Sequence, residues 1–116
     1  MDESFAVTPG GARGKAVLAR VTGRIDAKTS SQLVERCLAL CGPGTHLVLN
    51  LADVTFLSSS GVGALMVLSE RTSGQGGGLR LVALSSAASG PLRLLNLDRF
   101  LQIDDSEDQA FAALGS

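Results

Sequence analysis

Two kinds of apolar spacing alternate along the chain. Five short apolar runs have the length of buried strands, at residues 5–7, 16–21, 46–51, 79–84 and 100–103. Four longer stretches repeat their apolar residues with helical spacing, at residues 27–41, 62–69, 86–97 and 106–114. Repeated strand–helix–strand units imply right-handed crossovers and parallel pairing. The sequence therefore predicts an α/β fold with about four helices and a mixed, mostly parallel sheet that begins with an antiparallel pair.

Glycine and proline mark the boundaries between these elements. Pro9, Gly10, Gly11 and Gly14 predict a hairpin loop between the first two strands. The glycine run of residues 74–78, interrupted only by Gln75, follows a helical stretch and precedes a strand. A phosphate-binding loop has the opposite order, because it follows a strand and opens a helix. We therefore interpret this run as a helix terminator.

Composition narrows the range of functions. With 116 residues, 45% of them hydrophobic, the chain has the size of one domain, which we assign to residues 1–116. It has one histidine, no tyrosine and no tryptophan, so we expect no metal site, no cofactor and no enzymatic activity. The net charge of −1 gives no attraction to nucleic acid. No apolar run reaches the length of a bilayer span, and Asp2 and Glu3 stand where a signal peptide would be basic, so we expect a cytoplasmic protein without a membrane partner.

The few reactive side chains have ordinary structural interpretations. Cys37 and Cys41 lie four residues apart in an apolar helix and are expected to be buried; the alternative is a regulatory thiol pair, with only Arg36 beside it.

His46 has no partner for nucleophilic catalysis and is expected at a strand edge. Asp26 lies between a strand and a helix, where a carboxylate caps free amides. Asp53 follows a strand, but the acidic cluster of a phospho-aspartate receiver domain is missing.

The serine triplet of residues 58–60 lies at a strand-to-helix junction. One interpretation is capping, because a hydroxyl at this position accepts a hydrogen bond from an unpaired amide of the first turn. The other is phosphorylation, since the helix dipole would tolerate a phosphate that adds about −1.5 to −2 charge to the surface. A partner fitted to neutral serines would then be repelled. Gly61 and Gly63 allow a partner or a strand to approach the backbone closely.

Around this junction the sequence resembles a known family. The stretch LNLADVTFLSSSGVGAL, residues 49–65, is similar to the signature of STAS domains, the bacterial anti-sigma factor antagonists. The segments GRIDA at residues 23–27 and LNLDRFL at residues 95–101 resemble the family's turn into its first helix and its leucine-rich third helix with the last strand. The similarity covers about residues 15–114 in the family's order. It implies a single STAS-like domain.

The resemblance implies a function in transcription control by partner switching. Such an antagonist binds an anti-sigma factor with serine-kinase activity and so releases a sigma factor; the kinase phosphorylates a serine of the antagonist, and a phosphatase restores it. Aligned on Gly61, the acceptor is Ser59, with Ser58 or Ser60 as alternatives, and Ser58 stands where the family has Asp. The alternative function is a stand-alone STAS domain that senses a nucleotide or another small ligand. The expected partner surface includes the exposed face of the second helix and these residues: Gly23, Arg24, Asp26, Ser58, Ser59, Ser60, Gly61 and Val62.

Overall fold

Strands and helices alternate along residues 5–115, the part of the chain that this computed structural model describes. Asp2 and Glu3 lie outside it, so the expectation that rests on them has no structural counterpart. The strands are β1 (Ala6–Arg13), β2 (Ala16–Ile25), β3 (His46–Leu57), β4 (Gly78–Val82) and β5 (Gln102–Asp104). The helices are α1 (Ser30–Ala39), α2 (Ser59–Gly74), α3 (Ser86–Leu94) and α4 (Glu107–Ala113), with a single 3₁₀ turn at Leu97–Arg99.

The strands form one sheet in the order β1-β2-β3-β4-β5. β1 pairs antiparallel with β2, and every other neighbouring pair is parallel. Because consecutive parallel strands are also spatial neighbours, right-handed crossovers place α1, α2 and α3 on the same face of the sheet. The predicted fold class, including its antiparallel first pair, is confirmed. Among the described residues, none of the helices combines the length and the apolar character that a membrane crossing requires.

The apolar residues form one core on each face of the sheet. In β3, Leu47 and Leu49 point into the larger core beneath α1–α3, whereas Val48 points to the opposite face. There it joins Leu18 and Phe111 beneath α4. This alternation follows from the two-residue period of a strand, and both faces are apolar because helices cover both.

The predicted loop at Pro9–Gly11 is wrong. These residues belong to β1, and the pairing with β2 shifts between Pro9 and Gly11. Proline is tolerated because β1 is an edge strand, and the irregularity absorbs the extra residue. Gly10 is required by packing, since a Cβ there would lie 2.7 Å from Leu18 Cδ2. The turn itself is short and lies at Gly14, where φ is +58°.

Several boundaries also differ from the predictions. β2 continues to Ile25, and β3 runs on to Leu57 although its apolar run ends at residue 51. Beyond that point β3 buries every third residue rather than every second, because two irregularities interrupt its pairing with β2. The third helix ends at Leu94, and β5 begins at Gln102 rather than at residue 100. Leu95 and Phe100 therefore lie outside helix and strand, and they are 55% and 72% exposed.

The glycine run terminates α2, as predicted. The helix ends at Gly74 and β4 begins at Gly78. Gly77 is fixed by a close backbone approach, since a Cβ on it would lie only 1.8 Å from the Thr45 carbonyl oxygen. The run therefore closes the helix and lets the chain pass the start of β3.

A polar cluster fastens α4 to the sheet. Glu107 accepts two hydrogen bonds from the Arg20 guanidinium, both 2.9 Å, and one from Asn50 Nδ2 at 2.6 Å. The hydrogen bonds from Arg20 hold the pKa of Glu107 below its ordinary value against the opposing effect of burial, with Asn50 contributing in the same direction. Glu107 therefore favours the folded state when it is ionised.

Glu107→Gln is expected to remove part of the acid sensitivity of the fold. A carboxylate with a lowered folded pKa contributes stability that is present above its unfolded pKa, about 4.3, and is lost as the pH falls through the folded pKa. The variant should therefore lose under about 1 kcal/mol of unfolding free energy at pH 7, as for a partly exposed ion pair. Its deficit relative to the parent should shrink towards pH 3. Urea unfolding at both pH values measures this, and a deficit of constant size would contradict it.

Candidate functional site

The carboxyl edge of the sheet brings the two predicted site segments together. β2 and β3 are parallel neighbours that end in register, with Ile25 opposite Leu57. The amide of Ser58 then donates a 2.9 Å hydrogen bond to the Ile25 carbonyl, which continues the ladder by one step. The end of β2, which contains Arg24, and the turn that starts at Asp26 thus lie beside the start of α2.

Ser58 is the cap of α2. Its backbone is extended, with φ −84° and ψ 174°, and its Oγ accepts a 3.1 Å hydrogen bond from the Gly61 amide. The Ser58 carbonyl accepts from the Val62 amide at 2.9 Å. The capping interpretation is therefore confirmed for this member of the triplet, which is half-buried and engaged in the helix end.

Ser59 and Ser60 are the first two residues of α2, and both are exposed. Within residues 5–115, no hydrogen bond involves either side chain. One turn after Ser59 comes Gly63, where an added Cβ would meet nothing within 4 Å. The Ser59 hydroxyl therefore stands on open surface with no side chain above it in its own row of the helix.

Gly61 and Val62 position the helix rather than form its outer surface. A Cβ on Gly61 would lie 2.8 Å from the Ile25 carbonyl oxygen and 2.6 Å from Leu57 Cδ1. Val62 is 6% exposed and belongs to the core. The close approach of α2 to the end of β2 depends on the missing side chain at Gly61, and this approach fixes where Ser59 projects.

Arg24 is held between an aromatic ring and a carboxylate. Its guanidinium carbon lies 4.2 Å from the centre of the Phe56 ring, and its Nε lies 3.7 Å from Asp26 Oδ2. Phe56 pairs with Arg24 across the strands and is 38% exposed. Phe56 is not among the residues predicted from the sequence. The signal for it is an aromatic residue two positions before the serine triplet that does not fit the burial pattern of its strand.

Asp26 organises the turn before α1. Its Oδ1 accepts hydrogen bonds from the amides of Lys28 and Thr29, at 2.9 and 3.2 Å. Burial alone would raise the pKa of Asp26, but these two bonds, the Thr29 hydroxyl and the Arg24 charge together hold it below its ordinary value. The predicted capping role is confirmed, although the carboxylate caps the turn that leads into α1. Gly23, expected in this turn, lies instead in β2, where it is buried and has φ +91°.

The cysteines lie away from this edge and stay protonated. Burial, together with the neighbouring Cys41, raises the pKa of the Cys37 thiol to about 12, and burial also raises that of Cys41. Thiol reactivity requires the thiolate. Cys37 is buried as expected, whereas Cys41 is half-buried and lies just beyond α1, which ends at Ala39. The raised pKa values favour a packing role for both residues over a regulatory thiol pair.

A cavity of about 370 Å³ lies at the opposite edge of the sheet. It is lined by His46 and Gly78, the first residues of β3 and β4, and by Phe100. Ligands of open α/β sheets usually bind outside the carboxyl ends of the strands. This cavity is at the amino ends, so it adds no support to the alternative of a ligand-sensing domain.

Comparisons with known proteins agree on one family. The family model described as STAS domain matches residues 10–110. An anti-sigma factor antagonist from Mycobacterium paratuberculosis has a similar structure, with 25% identity, a TM-score of 0.83, and coverage of 97% of this chain and 96% of that one. An anti-sigma-factor antagonist (STAS) domain protein from Planctomyces limnophilus is 18% identical with a TM-score of 0.77, over 97% and 98% of the two chains. The Bacillus cell fate determinant SpoIIAA in its phosphorylated form is 18% identical with a TM-score of 0.67, over 94% and 99%.

Proposed function

This chain belongs to the STAS domain family, and from that premise we propose that it is an anti-sigma factor antagonist controlled by phosphorylation of Ser59. It binds an anti-sigma factor that is also a serine kinase and thereby releases a sigma factor. Phosphorylation ends the binding, and a phosphatase restores it. The protein performs no catalysis in this scheme; it is the substrate of the kinase, and we place it in the cytoplasm.

The observation that carries the proposal is the exposed Ser59 hydroxyl at the first position of α2. Ser58 is occupied as the cap, whereas Ser59 is exposed and has no hydrogen-bonded partner among residues 5–115. Ser60 is also exposed, but the residue one turn after it is the buried Ala64. The residue one turn after Ser59 is Gly63, which has no side chain. A kinase can therefore approach the Ser59 hydroxyl without meeting a side chain at the next turn of the helix.

The chemistry is a phosphoryl transfer to an alcohol. The Ser59 oxygen attacks the γ-phosphorus of ATP, the bond to the β,γ-bridging oxygen breaks, and ADP leaves. The hydroxyl proton passes to a base on the kinase, since the carboxylate that the family places before the acceptor is Ser58 here. Ser58 keeps the capping geometry without that charge, so the orientation of the acceptor is preserved and the proton acceptor comes from the partner.

The phosphorylated state remains folded in this proposal. A phosphate on the first residue of α2 faces the unpaired amides of the first turn and the positive end of the helix dipole. SpoIIAA, which has the same fold, is known in a phosphorylated form. The switch therefore acts on the partner surface and leaves the sheet and its core unchanged.

The partner surface surrounds Ser59 on two sides. On one side are Arg24 and Asp26 at the end of β2 with the exposed Phe56, and on the other is the outer face of α2, where Val67 is 43% exposed. Arginine and aromatic side chains are frequent anchors of protein interfaces. Phe56 also holds the Arg24 guanidinium in place, so that less side-chain entropy is lost on binding.

Incubation with the cognate anti-sigma kinase and ATP tests the proposal. We expect the intact protein to gain one phosphate, located on Ser59 by mass spectrometry of its peptides. Ser59→Ala should abolish the modification and leave binding within about threefold of the parent, because no contact inside the fold involves this hydroxyl. Ser60→Ala is the matched control and should still be phosphorylated. Modification of Ser59→Ala at the parent rate would disprove the assignment of the acceptor.

A further inference from the structure

The two edge strands of the sheet differ in how they are protected from further pairing. β1 contains Pro9 and an irregularity in its pairing with β2, and both features discourage the addition of another strand. β5, at the other edge, has neither: it consists of Gln102, Ile103 and Asp104, and its register with β4 is regular. The β5 edge is therefore the one that is open to another strand.

Ile103 presents its backbone groups at this open edge. The Asp104 carbonyl accepts a 3.3 Å hydrogen bond from the Ala83 amide, so the backbone of Asp104 faces β4. The backbone groups of successive strand residues point to opposite sides, so the N–H and C=O of Ile103 point away from β4. Such a donor and acceptor pair is complementary to the backbone of an extended chain.

A groove with an apolar floor adjoins the same edge. Two cavities between α3 and β5, of about 250 and 200 Å³, share four lining residues and so form one depression, which we call the α3–β5 groove. The shared residues are Leu84, Ser89, Arg93 and Ile103. Leu84 and Ile103 pack against the larger core and leave part of their surface in the groove. An extended chain that pairs with Ile103 therefore also meets apolar side chains.

Free carboxylates lie at both ends of the groove. Asp98, in the 3₁₀ turn before β5, lines one cavity, and Asp105, directly after β5, lines the other. Neither carboxylate takes part in an ion pair within residues 5–115, whereas Asp104 is bound to Arg80 at 2.9 Å. Arg93 supplies one positive charge against these two free carboxylates. The groove therefore has an excess of negative charge and favours a basic ligand.

A second copy of this chain does not fit the open edge. Two β5 strands related by a two-fold axis pair antiparallel, so that the start of one lies beside the end of the other. Asp98 of one copy would then approach Asp105 of the other, and opposed like charges destabilise strand pairing. The occupant must carry the opposite charge.

We propose that the α3–β5 groove binds an extended segment of a partner protein, which joins β5 as a sixth strand and has an apolar residue between two basic residues. The apolar residue packs on the floor of the groove, and the basic residues meet Asp98 and Asp105. Side chains of a strand alternate between its faces, so the three residues that face the groove are two positions apart. This binding function is separate from the switch at Ser59 and does not depend on it.

NMR titration of the isotope-labelled full chain with the blocked peptide Lys-Thr-Val-Thr-Lys tests the proposal. We expect a dissociation constant between about 100 µM and 1 mM, as for a small interface, and slower hydrogen exchange of the Ile103 amide because it gains an acceptor. The same peptide with its three central amides N-methylated keeps the side chains but loses these donors, and it should bind at least about tenfold more weakly. An Ile103 signal that does not change at about 2 mM peptide would overturn the proposal.

Charge variants test the chemistry of the segment. Asp98→Asn with Asp105→Asn should weaken peptide binding at least about fivefold, whereas Arg93→Gln should strengthen it, because the first change removes counter-charges and the second removes a like charge. Asp53→Asn with Asp108→Asn is the matched control: it removes two exposed carboxylates outside the groove and should leave binding unchanged. Equally tight binding of the blocked peptide Glu-Thr-Val-Thr-Glu would refute a basic segment as the occupant.

Discussion

Ser59→Asp is expected to weaken binding to the anti-sigma kinase at least about 100-fold, or about 2.7 kcal/mol, because an unpaired charge in an interface costs roughly that much. The replaced hydroxyl is exposed and outside the core, so this loss does not pass through the fold. Phosphorylation acts in the same way: the chain has a net charge of −1, and one phosphate brings it to about −2.5 to −3. Isothermal titration calorimetry with the purified kinase measures the effect.

Two control variants separate charge from shape and position. Ser59→Asn has nearly the size of the aspartate without its charge and should keep binding within about tenfold of the parent. Ser73→Asp adds the same charge to the exposed far end of α2 and should bind like the parent. Ser59→Asp should also be at least as stable as the parent, since a negative charge in the first turn gains about 0.3–1 kcal/mol. Parent-like affinity of Ser59→Asp would contradict the charge switch.

The sheet and its helices could be predicted because the spacing of apolar residues indicates the type of each element, and the order of strands and helices indicates parallel pairing. Strands such as β3 begin with consecutive buried residues, Leu47, Val48 and Leu49, because helices cover both faces. The glycine run after α2 could be assigned from its orientation alone. Local pattern was sufficient for these elements because the spacing of apolar residues and the position of the glycines are properties of each segment itself, although the segments then pair with distant ones.

The errors come from tertiary contacts that no local pattern encodes. Pro9 and Gly10 are residue types typical of turns, yet they lie in β1, which pairs with β2. Proline is tolerated there because β1 is the edge strand of the sheet. The end of β3 is longer than its apolar run because hydrogen bonds to β2, not burial, hold it in the sheet. Phe100 was expected in the last strand on hydrophobicity alone, whereas it lies on the surface. The spacing of apolar residues along the sequence does not distinguish an exposed apolar residue from one in the core.

The candidate site was predictable in its members but not in their roles. The sequence placed Arg24 and Ser58–Ser60 in two segments, and the parallel register of Ile25 with Leu57 brings those segments together. It left open which serine caps α2, a question that only the hydrogen bond from the Gly61 amide to Ser58 settles. Phe56 was missed because its contribution depends on the cross-strand position of Arg24. Roles of this kind arise from pairing between strands.

Gly61→Ala is expected to destabilise the protein by about 2–3 kcal/mol and to lower its melting temperature by about 10 °C. The new methyl group would lie 2.8 Å from the Ile25 carbonyl oxygen and 2.6 Å from Leu57 Cδ1, so α2 must move away from β2. That movement also loosens the hydrogen bond between Ser58 and the Gly61 amide and displaces Ser59. Thermal unfolding measures the first effect, and the rate of Ser59 phosphorylation measures the second.

Gly63→Ala is the matched control on the same helix. A Cβ at Gly63 meets no atom within 4 Å, so only the gain in helix propensity remains, and stability should rise by about 0.5–1 kcal/mol. The two variants make the same chemical change two positions apart, and we expect them to differ by about 3 kcal/mol because one Cβ points at the end of β2 and the other into solvent. Equal stabilities would show that α2 does not need its close approach to Ile25. Ser59 would then be positioned by the Ser58 cap alone.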